Sequence, residues 1–160
     1  MTGLLKQLYR GIDQRCILKG QLKKEGCRVL MTNAPSSRLT IDLDKDGSPL
    51  SRQSSRCDYL LVAESHDGSG WCWLVLLELK SGMMEADLVI KQLKASAIAT
   101  ENIIQKYENC RFRPVVAFGR VSKYERNIIK NATSKISFHG CKESIRMMKC
   151  GTLLKNVVEW

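Results

Sequence analysis

The sequence of 160 residues lacks a hydrophobic run long enough to cross a membrane. Its longest apolar run, residues 71–77, has the length of one strand, whereas a transmembrane helix needs about 20 apolar residues. The first residues, MTGLLKQLYRGID, also lack the long apolar segment and cleavage site of a signal peptide. We therefore expect a soluble, intracellular protein, cytoplasmic or located with nucleic acid in a nucleoid or nucleus, and no membrane partner.

Spacings that bind metals or support thiol chemistry are also scarce. None of the seven cysteines forms a C-x-x-C pair, although His139, Cys141 and Cys150 leave one weakly supported zinc site open. An odd number of cysteines without a secretion signal favours reduced, mostly buried thiols in a reducing compartment. Neither His66 nor His139 has a serine or cysteine partner that the sequence identifies, so nothing supports a Cys–His hydrolase.

Acidic residues are fewer than basic residues. The chain has 26 Lys and Arg against 16 Asp and Glu, a net charge of +10. Residues 110–160 hold 11 Lys and Arg and 3 Glu, which gives +8, whereas residues 1–109 have 15 minus 13, or +2. A concentrated positive charge favours a polyanionic partner, and no strongly amphipathic, lysine-rich helix indicates a membrane. We therefore expect nucleic acid, with the C-terminal third contacting phosphates.

The periodicity of apolar residues predicts one α/β domain over residues 1–160. The predicted order is a helix at 3–19, strands at 27–32 and 38–44, a hairpin at 59–63 and 71–77, a helix at 84–107, a strand at 114–119, a helix at 122–131 and strands at 135–139 and 144–149. The hairpin strands are continuously apolar, which indicates that both faces of the sheet are covered, most simply by helices. Residues 3–119 form the predicted core, and residues 120–160 a basic α/β extension.

Acidic and basic side chains stand at the open end of the predicted hairpin. If the turn is centred on Gly68, paired residues sum to 136, and Asp58 lies opposite Glu78. Opposed Cβ atoms are roughly 4.5–5.5 Å apart, so the two carboxylates repel each other unless a cation lies between them or one is protonated. The strand period places Lys80 on the face of Glu78 and keeps the Leu79 carbonyl nearby. A register slip of one residue would turn Asp58 to the opposite face.

Oxygen ligands of this kind suit Mg²⁺ or Mn²⁺. A divalent ion polarises a phosphate and lowers the pKa of a bound water. A lysine beside it can position that water or stabilise charge that develops in the transition state. On a basic protein, Asp58, Glu78 and Lys80 therefore indicate hydrolysis of phosphodiester bonds.

These residues resemble the signature of the PD-(D/E)xK, or restriction-endonuclease-like, nuclease superfamily. Asp58 is followed after nineteen residues by Glu78-x-Lys80, and the predicted element order over 3–119 is similar to the αβββαβ core of that family, a mixed sheet flanked by helices. The resemblance implies that Asp58 and Glu78 bind Mg²⁺, with Mn²⁺ as a substitute, and that Lys80 is the catalytic lysine.

The same resemblance suggests residues that complete the site. Many members add an acid from the first helix, for which Asp13 is the best match and Glu25 the second. Some add a glutamine after the lysine strand, a role that Gln92 matches, although Ser96 stands where one subgroup has tyrosine. The implied activity is that of an endonuclease, with DNA favoured over RNA.

Two other functions remain open. The same fold could bind nucleic acid without turnover, or the chain could be an unrelated basic interaction protein in which Glu78 and Lys80 form an ordinary salt bridge. Trp71 and Trp73 share a strand face and can stack on bases, but their position beside an apolar run favours the core.

The C-terminal tail carries an apolar cluster at near-helical spacing. Its members are Leu153, Leu154, Val157, Val158 and Trp160. Duplex cleavage needs two nicks, and a two-fold homodimer would supply two equivalent sites. The cluster is therefore either a dimer interface or a segment that folds back onto its own core.

Overall fold

The computed structural model describes residues 3–105 and 109–160. In chain order the elements are α1 (Gly3–Gly11), β1 (Leu22–Lys24), β2 (Cys27–Val29), β3 (Arg38–Asp42), β4 (Tyr59–Glu64), β5 (Cys72–Met83), α2 (Ala86–Glu101), β6 (Cys110–Arg120), α3 (Lys123–Lys130), β7 (Ile136–Phe138), β8 (Cys141–Glu143) and β9 (Arg146–Lys149). Short 3-10 helices lie at Gln14–Cys16, Ala132–Ser134 and Leu154–Asn156.

A five-stranded mixed sheet forms the centre of the fold, in the order β3-β4-β5-β6-β9. The strands β3, β4 and β5 are antiparallel neighbours, whereas β6 runs parallel to β5 and β9 parallel to β6. Helix α2 joins β5 to β6, because parallel neighbours need a crossover connection. The predicted α/β class is confirmed, and a strand from the predicted C-terminal extension joins the main sheet.

The register of the β4–β5 hairpin is the one that the turn at Gly68 predicts. Tyr59 pairs with Leu77, and all further pairs also sum to 136. At the open end, the N–H of Asp58 also donates to the Leu77 carbonyl, at 3.1 Å. The residue before β4 therefore bonds to the carbonyl of Leu77, which is the partner of Tyr59, an irregularity like that of a β-bulge, which often re-aims a side chain.

Strand β5 runs straight through Lys80 and then changes register. Its pairing with β6 is regular up to Lys80 and Phe118 and shifts before Met83. At this point β6 carries Gly119, where an added Cβ would overlap the carbonyl oxygen of Ser81. Only glycine permits this close approach, which fixes the path of β5 immediately after Lys80.

The helices are shorter than the apolar pattern predicts. Helix α1 ends at Gly11, and Asp13 then caps a 3-10 helix by accepting the N–H of Arg15 at 2.9 Å. The predicted helix at 84–107 ends at Glu101, while its residues 106 and 107 lie outside the described ranges. Across the described residues, no helix is both long and apolar enough to cross a membrane.

Different kinds of element cover the two faces of the sheet. Helices α1 and α2 pack on the face of Leu60 and Leu76, as predicted. The opposite face is covered by the β1–β2 hairpin and by the C-terminal tail, in which Leu154 and Val158 are fully buried. The expectation of helices on both faces is therefore wrong, and the apolar tail folds back onto its own sheet, which was the alternative to a dimer interface.

A disulfide between Cys27 and Cys150 joins β2 to the residue after β9. A backbone hydrogen bond of 2.6 Å from Gly151 to the Arg28 carbonyl strengthens this connection. The prediction of reduced thiols is therefore wrong for these two cysteines, and the zinc alternative loses Cys150. Within the described ranges the other five cysteines form no disulfide, and Cys141 is the exposed one.

Reduction of the Cys27–Cys150 disulfide should lower the free energy of unfolding by about 2–4 kcal/mol, because the bond constrains a long loop in the unfolded chain. The two residues are separated by 123 positions. Urea unfolding of the Cys27→Ser variant should show this loss. The matched Cys141→Ser variant should unfold like the parent, and equal stability of all three proteins would contradict the prediction.

Candidate active site

Two buried carboxylates meet where β4 begins and β5 leaves the core. Asp58 is 3% exposed and Glu78 is 1% exposed, although carboxylates are almost never fully buried unless they are paired. The backbone links them, since the N–H of Leu79 donates to Asp58 Oδ2 at 2.7 Å. The structure thus brings together the two acids that the hairpin register predicted to be neighbours.

Burial raises the pKa of both carboxyl groups. For Glu78, burial has the largest effect and the charge of Asp58 adds to it, so that the pKa rises to about 7. For Asp58, burial also raises the pKa, despite opposing hydrogen bonds from Lys24 and from the Leu79 N–H. Glu78 therefore keeps its proton to a higher pH than an exposed glutamate does, and a cation placed beside it would favour its ionised form.

Lysine ammonium groups already contact this pair. Lys80 Nζ lies 2.6 Å from Glu78 Oε1, and the Lys24 ammonium forms hydrogen bonds with the carboxylates of Asp58 and Asp44. Among the described residues, Glu78 Oε2 is buried without a hydrogen-bond partner. One oxygen of the pair thus remains unsatisfied, and such an orphan is costly unless a ligand compensates it.

Sequence reasoning missed Lys24 and Asp44 as part of this site. Lys24 is the last residue of β1, and a two-residue turn follows in which Glu25 and Gly26 both have positive φ. That hairpin is short and polar, so its apolar pattern gives no signal. Asp44 lies two residues beyond β3, and its carboxylate accepts from Arg56 Nε at 3.0 Å. The β3–β4 register could have indicated that Asp44 lies near the site, because it places the preceding residue, Leu43, beside Asp58.

Helix α2 holds the chain segment that leads into Asp58. Gln92 Nε2 donates to the Arg56 carbonyl at 3.2 Å, and the N–H of Cys57 donates to Ser96 Oγ at 2.7 Å. Gln92 and Ser96 are four residues apart and so lie on one face of the helix. The structure therefore places Gln92 where it positions the backbone before Asp58, and its Oε1 is buried without a partner within the described residues.

The two acids suggested for completing the site lie elsewhere. Asp13 forms an ion pair of 2.6 Å with Arg15, and hydrogen bonds from Arg15 lower the pKa of Asp13 to about 2. Glu25 is exposed in the β1–β2 turn. Over residues 3–105 and 109–160, no hydrogen bond or ion pair joins either acid to Asp58 or Glu78.

The available ligands fit Mg²⁺ better than a metal ion that needs three or more protein side chains as ligands. The described part of the chain has no group of three or more His, Cys, Asp or Glu that could hold a metal ion. Mg²⁺, however, usually keeps several waters and binds through one or two carboxylates and substrate phosphates. Asp58 and Glu78 match this requirement. The Leu79 carbonyl points to the same strand edge as its N–H, which contacts Asp58, and is the third oxygen available.

Replacing Glu78 with glutamine should remove part of the pH dependence of stability. Because the folded protein holds this proton more tightly than the unfolded chain, the parent should lose stability as pH rises from about 4.5 to about 7 and then level off. At pH 8 without divalent ions, the Glu78→Gln variant should be about 1–3 kcal/mol more stable than the parent. Urea unfolding from pH 5 to pH 8 measures this difference, with the exposed-acid variant Glu85→Gln as control. Parallel pH profiles for Glu78→Gln and the parent would contradict the prediction.

Replacing Lys24 with methionine should destabilise the protein, because Asp58 then keeps a buried charge without its ammonium partner. We expect a loss of about 1–3 kcal/mol at pH 7, which shrinks at pH 4 as Asp58 becomes protonated. The control is Lys23→Met, an exposed lysine of the same strand. If both variants unfold at the same urea concentration, the Lys24–Asp58 contact contributes nothing to stability.

Comparisons of the chain with models of protein families, with curated proteins and with solved structures gave no match. They therefore show no family for this protein. Any function must be inferred from the residues of the site and from the fold that positions them.

Proposed function

We propose that the protein is a metal-dependent nuclease that hydrolyses phosphodiester bonds, with DNA as the favoured substrate. One observation carries the proposal: Asp58 and Glu78 are adjacent and buried, and the Lys80 ammonium lies 2.6 Å from Glu78. Two carboxylates with raised pKa values next to a lysine are typical of functional sites. A purely structural core avoids the free-energy cost of burying ionisable groups.

The fold supports the proposal through the order of its elements. Helix α1, the antiparallel strands β3, β4 and β5, the crossover helix α2 and the parallel strand β6 occur in this order, with the β1–β2 hairpin inserted between α1 and β3. This order resembles the αβββαβ core of the PD-(D/E)xK superfamily. Asp58 lies at the start of the second strand of that order, and Glu78 and Lys80 lie on the third, where the family signature has its acids and lysine.

Asp58, Glu78 and the Leu79 carbonyl would hold one Mg²⁺ ion, which Mn²⁺ can replace. When bound, the ion would polarise the phosphate and make a water more acidic. Lys80 is partly exposed beside Glu78, where its ammonium can hold the attacking water or stabilise negative charge on the phosphate. Lys24 orients Asp58 from one side and the Leu79 N–H orients it from the other.

Charge around the site also favours a phosphodiester. When all of them are ionised, three acidic and three basic side chains give the site a net charge of zero. The acids are Asp44, Asp58 and Glu78, and the bases are Lys24, Arg56 and Lys80. A divalent cation would therefore leave the site with a charge of +2, which attracts phosphate. A cleft of about 360 Å³ adjoins Asp44, Arg56 and Gln92, and Lys91 adds a further positive charge to its wall.

A second candidate is a nucleic-acid-binding module of the same fold without turnover. The contacts of Lys24 and Lys80 favour it, because two ammonium groups already compensate the carboxylate pair without a metal. The basic residues 110–160 would then supply the phosphate contacts. Cleavage that depends on divalent ions separates the two candidates.

The Asp58→Ala and Glu78→Ala variants should each abolish Mg²⁺-dependent cleavage and leave nucleic-acid binding largely intact. Lys80→Ala should lower the cleavage rate by about 10²–10³-fold, as for other groups that stabilise a transition state, without lowering Mg²⁺ affinity. Labelled single- and double-stranded DNA and RNA, each with Mg²⁺ or with EDTA, provide the cleavage assay. Calorimetry measures Mg²⁺ binding.

The matched control is Asp67→Asn, which alters an acid in the turn at the other end of the same hairpin. It should cleave like the parent. Cleavage by Asp58→Ala or Glu78→Ala at the parental rate would show that the metal site is wrongly assigned. Binding of nucleic acid without cleavage of any substrate would favour the binding module.

A further inference from the structure

A second cavity, of about 480 Å³, opens where β5 and β6 begin, at the other end of the sheet from Asp58 and Glu78. Small-molecule sites usually measure about 300–1,000 Å³, so this volume suits a ligand of a few rings. Its walls include indole rings, phenyl rings, guanidinium groups and two carboxylates. Among these side chains are Trp71, Trp73, Arg111, Arg113, Glu143 and Glu159.

Arg111 forms a flat cationic platform at this cavity. Its guanidinium carbon lies 4.8 Å from the ring centroid of Trp71 and 5.6 Å from that of Trp73. The residue is exposed, so a ligand can reach it from solvent. Guanidinium planes of this kind stack on nucleobases in many RNA-binding proteins.

Arg113 lines the same cavity, and the hydrogen-bonding capacity of its guanidinium is not fully used. Its Nε is buried without a hydrogen-bond partner among the described residues, and its Nη1 lies 3.7 Å from Glu143 Oε2, too far for a hydrogen bond. Burial and the like charge of Arg146 lower the pKa of Arg113. A ligand that brings negative charge beside the Arg113 guanidinium would therefore offset part of the cost of burying it.

The Nη1 donor of Arg113 and the Oε2 acceptor of Glu143 stand side by side, 3.7 Å apart. Along the edge that carries N7, adenine presents the complementary pair, with the acceptor N7 beside the donor N6, whereas guanine presents acceptors at both N7 and O6 along that edge. We propose that this cavity binds an adenine nucleotide, with the base stacked on Arg111, its edge read by Arg113 and Glu143, and its phosphate attracted by the guanidinium groups. The nucleotide can be free or part of a single strand.

This inference is independent of the proposed nuclease activity. Trp73 and Glu78 are five residues apart on β5, which corresponds to about 17 Å along a strand. Their side chains also point to opposite faces of the sheet, because side chains alternate along a strand and the two residues are an odd number of positions apart. A ligand in the cavity therefore lies away from Asp58 and Glu78, neither of which lines the cavity.

Calorimetry with AMP, GMP, ribose 5-phosphate and a twelve-residue oligo(dA), all in EDTA, tests the proposal. AMP or oligo(dA) should bind the parent protein, and AMP should bind at least about tenfold more tightly than GMP, the usual cost of a wrong base edge. Ribose 5-phosphate should bind far more weakly, because it lacks the base. Binding of AMP alone identifies a free nucleotide, and binding of oligo(dA) alone identifies a strand.

The key variant is Arg111→Gln, which should weaken adenine-ligand binding by at least about tenfold through loss of stacking. Its control is Arg10→Gln, which removes the same charge from the exposed end of α1 and should change affinity less than about twofold. Glu143→Gln should reduce the ratio of AMP affinity to GMP affinity. This second variant keeps the test informative if Arg111→Gln fails to fold.

The outcomes are distinct from those of the cleavage assay. Glu78→Ala should bind AMP or oligo(dA) like the parent, whether or not the parent cleaves nucleic acid. The proposal is overturned if neither adenine ligand binds, if ribose 5-phosphate binds as tightly as AMP, or if Arg111→Gln and Arg10→Gln have equal effects.

Discussion

Asp58 and Glu78 lose nearly all contact with water at the end of one hairpin, and their neighbours compensate this desolvation. A buried carboxylate costs several kcal/mol unless charges or hydrogen bonds offset it. Here Lys24, Lys80 and the Leu79 N–H supply the offset, each from a different strand position. The compensation remains incomplete, because Glu78 Oε2 has no partner within the described chain. A site in this condition can gain free energy when it binds a cation.

The surrounding elements keep this arrangement in place. The β1–β2 hairpin holds Lys24 against Asp58, and α2 fixes the preceding backbone through Gln92 and Ser96. On the other strand, Gly119 lets β6 approach the backbone just after Lys80. Groups that could react are thereby positioned on a sheet buried on both faces, so little reorganisation is needed when a ligand binds.

The sequence was most informative where its apolar runs were long. The turn centred on Gly68 predicts the β4–β5 register that joins the two continuous runs. The site residues Asp58, Glu78 and Lys80 follow directly from that register. Asp13 could not be placed from periodicity, since the chain leaves the helix at Gly11.

Short or polar segments were much harder to predict. The strand β1 has three residues, so neither it nor the position of Lys24 produces a recognisable pattern. The apolar spacing of the C-terminal tail fits a packed 3-10 turn as well as a helix or an interface. The pairing of Cys27 with Cys150 spans 123 positions and depends on the tertiary fold, which no spacing rule encodes.

The disulfide has a consequence for the charge at Asp58. Cys27 is the strand partner of Lys24, so the covalent bond to Cys150 tethers the residue directly opposite the ammonium. A tether restricts the volume that the hairpin explores and so raises the effective concentration of Lys24 at the carboxylates. The covalent bond thereby restrains the short hairpin that holds the Lys24 ammonium against Asp58.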